Sequence, residues 1–167
     1  MLREETVFGP IRSRRLGRSL GINLLPQKGK ICNFDCVYCE CGWNKDGKDD
    51  QSLPTALDVR RALEDKLAEL MLEDVKIDSI TFSGDGEPTL HPEFDRIVED
   101  VIKLRDAFYP NAKISVLTNA TRLNDEKVVQ AFPKLEFKMN YWEPGMYFGG
   151  VLIGKQGEAT CREYSEA

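Results

Sequence analysis

Ile31-Cys32-Asn33-Phe34-Asp35-Cys36-Val37-Tyr38-Cys39-Glu40-Cys41 holds four of the chain's five cysteines within ten positions. The spacing Cys-x3-Cys-x2-Cys brings three thiols within reach of one inorganic centre. An iron–sulfur cubane held by three cysteines leaves one iron open to a further ligand. A zinc site usually draws instead on two separated cysteine pairs, or on a cysteine pair and a histidine pair. The lone histidine is His91, and the fifth cysteine, Cys161, is far along the chain. A disulfide scaffold does not suit a chain this long with so few cysteines. The spacing therefore favours an iron–sulfur site, with zinc or reduced bystander thiols as the alternatives. Cys41 is either a spare thiol or a fourth ligand that would close the open iron.

Working outward from this loop, residues 19–25 read as a buried strand stopped by Pro26 and the polar Gln27-Lys28-Gly29-Lys30. The loop thus leaves the C-terminal end of a strand. Beyond it, residues 42–52 are a hydrophilic connector, and Asp46-Gly47-Lys48-Asp49-Asp50 lacks the ligand spacing of a calcium loop. Thr55 caps a predicted helix over 56–73 with Leu57, Leu63, Leu67 and Leu70 along one side. A second strand, 77–82, runs straight into Ser83-Gly84-Asp85-Gly86-Glu87. His91-Pro92 begins a helix over about 92–107. A third strand, 114–117, ends at Thr118-Asn119, a short helix runs from 125 to 131, and 135–139 reads as a fourth strand.

Strand and helix alternate, which predicts an α/β fold with a parallel sheet. In α/β barrels ligands gather at the C-terminal strand ends. The cysteine loop, Gly84–Glu87 and Thr118-Asn119 all fall at such ends, with Lys138 or Asn140 as a fourth candidate. Core packing alone does not account for that coincidence.

Phe8-Gly9-Pro10, Ser13-Arg14-Arg15-Leu16-Gly17, the cysteine loop with Tyr38 before its third cysteine, and Phe82-Ser83-Gly84-Asp85-Gly86-Glu87-Pro88-Thr89 together resemble the radical S-adenosylmethionine (SAM) superfamily. Within it they are most similar to iron–sulfur oxidoreductases related to the wyosine-type tRNA-modifying enzymes. The resemblance covers residues 7–139. It implies an open, partial (β/α) barrel, of which this chain supplies about four βα units over residues 1–140, followed by an irregular tail over 141–167. A complete eight-unit barrel needs roughly 250 residues, so the chain reads as a C-terminally shortened form.

By the same resemblance Cys32, Cys36 and Cys39 hold a 4Fe-4S cluster whose open iron binds the amino acid part of SAM. Gly84, Asp85, Gly86 and Glu87 contact the bound methionyl group, with Glu87 accepting from its amine. Tyr38 sits beside the adenine, and Thr118 and Asn119 meet the ribose or carboxylate. The motif reads Gly-Asp-Gly-Glu where the superfamily's common form is Gly-Gly-Glu, a departure at Asp85 that leaves its exact role within the motif open. The plain alternatives are that Tyr38 covers the loop from water, that Gly84–Glu87 is a strand-to-helix turn, and that Thr118-Asn119 are turn formers. The implied activity is reductive cleavage of SAM to a 5′-deoxyadenosyl radical that abstracts hydrogen from a substrate. The implied partners are tRNA or another RNA as substrate, and a flavodoxin or ferredoxin as electron donor. The competing reading is a non-catalytic iron–sulfur or zinc module, or an inactive shortened enzyme.

Composition fits one globular domain, with 41% hydrophobic and 31% charged residues in 167. A chain of this length buries close to ~70% of its unfolded surface. No apolar run suits a signal peptide or a membrane span, and reduced cysteines then point to the cytoplasm. Residues 1–30 carry a net charge of +5, so the rest must total −10 to give the chain's −5. An acidic protein is a poor general nucleic-acid binder. The basic lead-in either meets phosphates or braces the cysteine loop and pairs with the acidic body. An open fourth strand predicts self-association through 135–139 or Val151-Leu152-Ile153.

Overall fold

A computed structural model describes residues 5–37, 39–44 and 52–135, and the backbone of 137–139, 152–153 and 159–160. Tyr38, Asn140 and Cys161 lie outside the described residues, as do the 140/141 boundary and the side chain of Lys138. The main sheet has five strands in the order β1 (Val7–Ser13), β2 (Gly17–Ile22), β3 (Ser79–Phe82), β4 (Lys113–Leu117) and β5 (Phe137–Met139). Strands β2 to β5 are parallel, with Leu20 beside Ile80 and Ile80 beside Ile114. The α/β expectation holds in this form.

One strand departs from it. β1 was not expected, and it runs antiparallel to β2 through a tight turn at Arg14–Leu16, with Ser13 opposite Gly17. Pro10 sits on this edge strand, where its missing N–H breaks no ladder. The register of β1 shifts between Phe8 and Ile11, around Gly9 and Pro10. Gly21 on β2 lets the Phe8 ring lie flat on the sheet, since a Cβ there would stand 2.2 Å from Phe8 Cζ. The following strand accordingly begins at Gly17 and ends at Ile22, and 23–25 leave the sheet.

The helices form where the periodicity put them. α1 (Ala56–Leu72) starts from a capping box in which the Thr55 hydroxyl accepts from Asp58 N while the Asp58 carboxylate accepts from Thr55 N. Its buried face is Ala56, Val59, Leu63, Leu67 and Leu70, whereas Leu57 is 49% exposed. That corrects the expected stripe by one residue, which is 100° around a helix. α2 (Phe94–Phe108) buries Phe94, Ile97, Val98, Val101 and Leu104, and α3 (Glu126–Ala131) is capped by Asp125. Phe82 of β3 meets Phe94 edge to face at 5.6 Å between ring centres.

Alternate strand positions separate two environments. Leu20, Ile22, Ile80, Phe82, Ile114 and Val116 join the helices in one core cluster. The intervening positions carry Ser19, Ser79, Thr81 and Ser115, all buried. The Ser19 and Thr81 hydroxyls pair at 2.7 Å. Further along the chain, β6 (Leu152–Ile153) pairs antiparallel with β7 (Ala159–Thr160) in a separate two-stranded sheet. Leu152–Ile153 thus forms a strand, paired within this separate sheet. No helix among the described residues is long and apolar enough to cross a membrane.

His91 locks the start of α1 to that of α2. Its Nδ1 accepts from Glu93 N at 3.1 Å, so the proton sits on Nε2, which donates to Pro54 O at 2.9 Å. Burial holds its pKa below the ordinary 6.5, although the Pro54 carbonyl and Glu93 act against that shift. A depressed folded-state pKa means that the unfolded chain binds the proton more tightly. Its contribution to stability is therefore complete above pH 6.5 and falls away as pH drops below that value. Thermal melts between pH 7.5 and pH 5 are expected to show a falling midpoint, and His91→Gln should flatten that dependence.

Candidate functional site

The C-terminal ends of β2, β3 and β4 converge on one cavity of about 230 Å³. The cysteine loop forms one wall with Cys32, Phe34, Cys36, Cys39, Glu40 and Cys41. Ser83, Gly84, Gly86 and Glu87 form a second wall, and Leu117, Thr118 and Asn119 a third. Nine of the ten residues singled out in the sequence are described, and eight of these line this one cavity. The ninth, Asp85, is fully buried behind it.

Two of the walls are joined by backbone. Ile31 forms a parallel bridge with Gly86, with Ile31 N donating to Asp85 O at 3.2 Å and Glu87 N donating to Ile31 O at 3.0 Å. Only glycine permits this approach. Gly86 has φ +137°, and a Cβ there would stand 1.9 Å from Ile31 O. Gly84 is likewise pressed against Asn23, whose Oδ1 would be 2.0 Å from a Cβ.

Asn23 is the residue the sequence reading passed over. It is fully buried, and its Oδ1 accepts from Leu25 N and Asp85 N, both at 3.1 Å. Its Nδ2 donates to Asp85 Oδ2 at 3.1 Å. Asp85, the departure from the common motif, thus ties the glycine turn to the end of β2. The available signal was a polar residue inside the apolar run Ile22-Asn23-Leu24-Leu25.

Glu87 of the second wall anchors the third. It is 2% exposed, and its Oε1 accepts from Thr89 N at 3.1 Å, Thr89 Oγ1 at 2.5 Å and Thr118 Oγ1 at 2.7 Å. Its Oε2 accepts from Asn119 N at 2.7 Å. Four donors match the acceptor capacity of a carboxylate. Asn119 then reaches the cysteine loop, with Nδ2 2.8 Å from Asn33 Oδ1 and 3.7 Å from Cys32 Sγ.

Beneath the loop lies a second unpredicted residue. The Lys30 side chain is 1% exposed, and its Nζ donates to Gly42 O at 2.7 Å and to Asp35 Oδ1 at 3.4 Å. Burial would push its pKa down, but Cys39, Cys32 and Asp35 around it together outweigh that and hold it above its ordinary value. The sequence counted Lys30 only as part of a basic lead-in. Arg12, Arg14, Arg15 and Arg18 are instead exposed around the hairpin turn, at the opposite end of β2 from the cavity. The expectation that the arginines brace the cysteine loop is corrected, because the turn carries them away from it.

Among the described residues no three His, Cys, Asp or Glu side chains are already gathered to hold a metal ion. The donor set is nevertheless specific. Cys32, Cys36 and Cys39 are free thiols on one cavity, while both nitrogens of His91 are engaged elsewhere. Burial pushes the Cys32 thiol up, opposed by the N–H of Phe34 at 3.5 Å and reinforced by the charge of Glu87. A soft metal centre that displaces the thiol proton fits such a site. Cys41 is turned toward the second wall, its Sγ 3.6 Å from Gly84 O and 3.7 Å from Asp85 Oδ1.

Comparison with known proteins matches residues 27–141 to the family described as the radical SAM superfamily. A UPF0026 protein of Methanocaldococcus jannaschii is 37% identical over 137 residues, covering 80% of this chain and 40% of that protein. A UPF0026 protein of Synechocystis sp. is 41% identical over 127 residues, covering 73% of this chain and 42% of that protein. The chain thus spans about two fifths of the length of these relatives. Among solved structures, BtrN in complex with AdoMet and 2-DOIA aligns with a TM-score of 0.44 and 22% identity, over 70% of this chain and 43% of that chain.

Proposed function

Because the chain belongs to the radical SAM superfamily, we propose that Cys32, Cys36 and Cys39 hold a 4Fe-4S cluster beside a SAM site built from Gly84–Glu87. The observation that carries this reading is the shared cavity. Three thiols from one loop and the glycine motif face each other across it, and the Ile31–Gly86 bridge fixes their separation. When bound, the cluster and SAM supply one-electron cleavage of a carbon–sulfur bond, giving a 5′-deoxyadenosyl radical for hydrogen abstraction. The chain's own residues bind and orient. The glycine turn presents backbone to the methionyl group, while Glu87 holds the third wall in place with its four hydrogen bonds. Thr118 and Asn119 border the nucleoside side, and Tyr38 is assigned to the adenine by resemblance alone.

The sheet is read as part of an open (β/α) barrel and the protein as an enzyme of the cytoplasm. Its substrate is read as an RNA, and its electron as coming from a flavodoxin or ferredoxin. The exposed hairpin arginines lie at the far end of the sheet, so an RNA placed across the cavity mouth would not rest on them. The test is anaerobic reconstitution with iron and sulfide, followed by dithionite and SAM. Formation of 5′-deoxyadenosine is the expected result. A bound cluster without it would favour the non-catalytic module, and stoichiometric zinc with no iron-dependent absorption would overturn the assignment.

A further inference from the structure

Asn119 occupies an unusual position between two walls of the cavity. Its amide orientation is set by its neighbours: Oδ1 accepts from Thr121 N at 3.1 Å and from Thr121 Oγ1 at 2.7 Å. A backbone N–H can only donate, so the oxygen must face Thr121 and the NH2 must face the cysteine loop. One of its hydrogens goes to Asn33 Oδ1 at 2.8 Å, leaving the other for Cys32 Sγ at 3.7 Å. The amide cannot swing away easily, because Asn119 N is held by Glu87 Oε2 and Asn33 Nδ2 is itself bound to Thr121 Oγ1 at 2.5 Å. Cys32 thereby receives two N–H donors, from Phe34 and from Asn119.

We propose that Asn119 is a positioning residue that raises the reduction potential of the cluster by donating a hydrogen bond to the sulfur of Cys32. This rests on the cluster assignment made above. A hydrogen bond to a ligating sulfur draws electron density from it and favours the more negative, reduced form. The couple is simple: one electron enters from the reductant, and no bond is made or broken. Asn119 thus acts through Cys32, and its amide is engaged with the loop before any nucleoside arrives.

The full chain, reconstituted anaerobically, is titrated with dithionite in the absence of SAM while the reduced cluster is followed by electron paramagnetic resonance. Asn119→Ala should keep its iron and require a lower potential. The expected change is about tenfold in the oxidised-to-reduced ratio at a fixed potential, equivalent to ~59 mV for one electron. Asn119→Asp keeps the acceptors for Thr121 and the side-chain volume but replaces the donor with negative charge, so its midpoint should fall at least as far. Midpoints unchanged in both variants would overturn the proposal. Loss of iron from both would overturn it as well, since Asn119 would then build the loop without tuning it. Failure of the unsubstituted protein to take up iron would instead count against the cluster assignment itself.

Discussion

Alanine at Cys32, Cys36 or Cys39 is expected to abolish cluster binding outright, leaving no iron-dependent absorption after anaerobic reconstitution. Each of the three thiols lines the cavity, and among the described residues no histidine nitrogen is free to take the place of a lost sulfur. A cubane anchored by two cysteines would also expose a second iron to solvent and exchange. Cys41→Ala and Cys161→Ala serve as controls and should both retain iron. Cys41 shares the cavity but is turned toward Gly84 and Asp85. Iron and sulfide analysis of the five variants decides the matter. Full occupancy in any one of the triad variants, or loss of iron in Cys41→Ala alone, would reassign the ligand set.

The second large effect is expected at Glu87. Its substitution by alanine strands Thr89 N, Thr118 Oγ1 and Asn119 N, all of which donate to the buried carboxylate. Hydrogen bonds to a charged group contribute ~1.5–3 kcal/mol each, and water entering from the cavity would restore part of the loss. A destabilisation of about 3 kcal/mol or more follows, read in the midpoint of denaturant unfolding. Glu87→Gln tests the same point with little change in volume. Its amide must turn an NH2 toward donors, so it should recover at most part of the stability. SAM binding should be lost in the alanine variant because the glycine turn and the third wall come apart. Wild-type stability together with wild-type SAM affinity would return Gly84–Glu87 to an ordinary turn.

What could be read from the sequence was whatever depends on local pattern. The cap at Thr55, the heavy leucine side of α1 and the apolar runs of β3 and β4 each signal an element within a few residues. The cysteine spacing and the glycine turn signal chemistry in the same local way. What escaped depends on contacts between distant segments. β1 is a strand because it lies at an edge, where Pro10 is harmless, and nothing within Val7–Ser13 says that it will lie there. Asn23 and Lys30 matter through partners in other segments, Asp85 in one case and Cys39 with Gly42 in the other. Leu57 shows the limit of periodicity itself, since one residue's offset carried a leucine from the core to the surface. Charge counting failed for a similar reason. It summed Lys30 with the hairpin arginines, although the fold places them at opposite ends of a strand.

The contact between Asn119 and Cys32 joins residues 87 positions apart. During synthesis at ~5–20 residues per second, the cysteine loop is made roughly 4 to 17 seconds before the residue that completes its surroundings. Until then the thiols lack the whole third wall of Leu117, Thr118 and Asn119, and any metal that reached them would meet a half-built seat. Iron delivered after β4 has docked would find the finished one. On the proposed cluster assignment, the order of strands along the chain predicts that a nascent chain arrested before residue 113 takes up metal differently from the released protein.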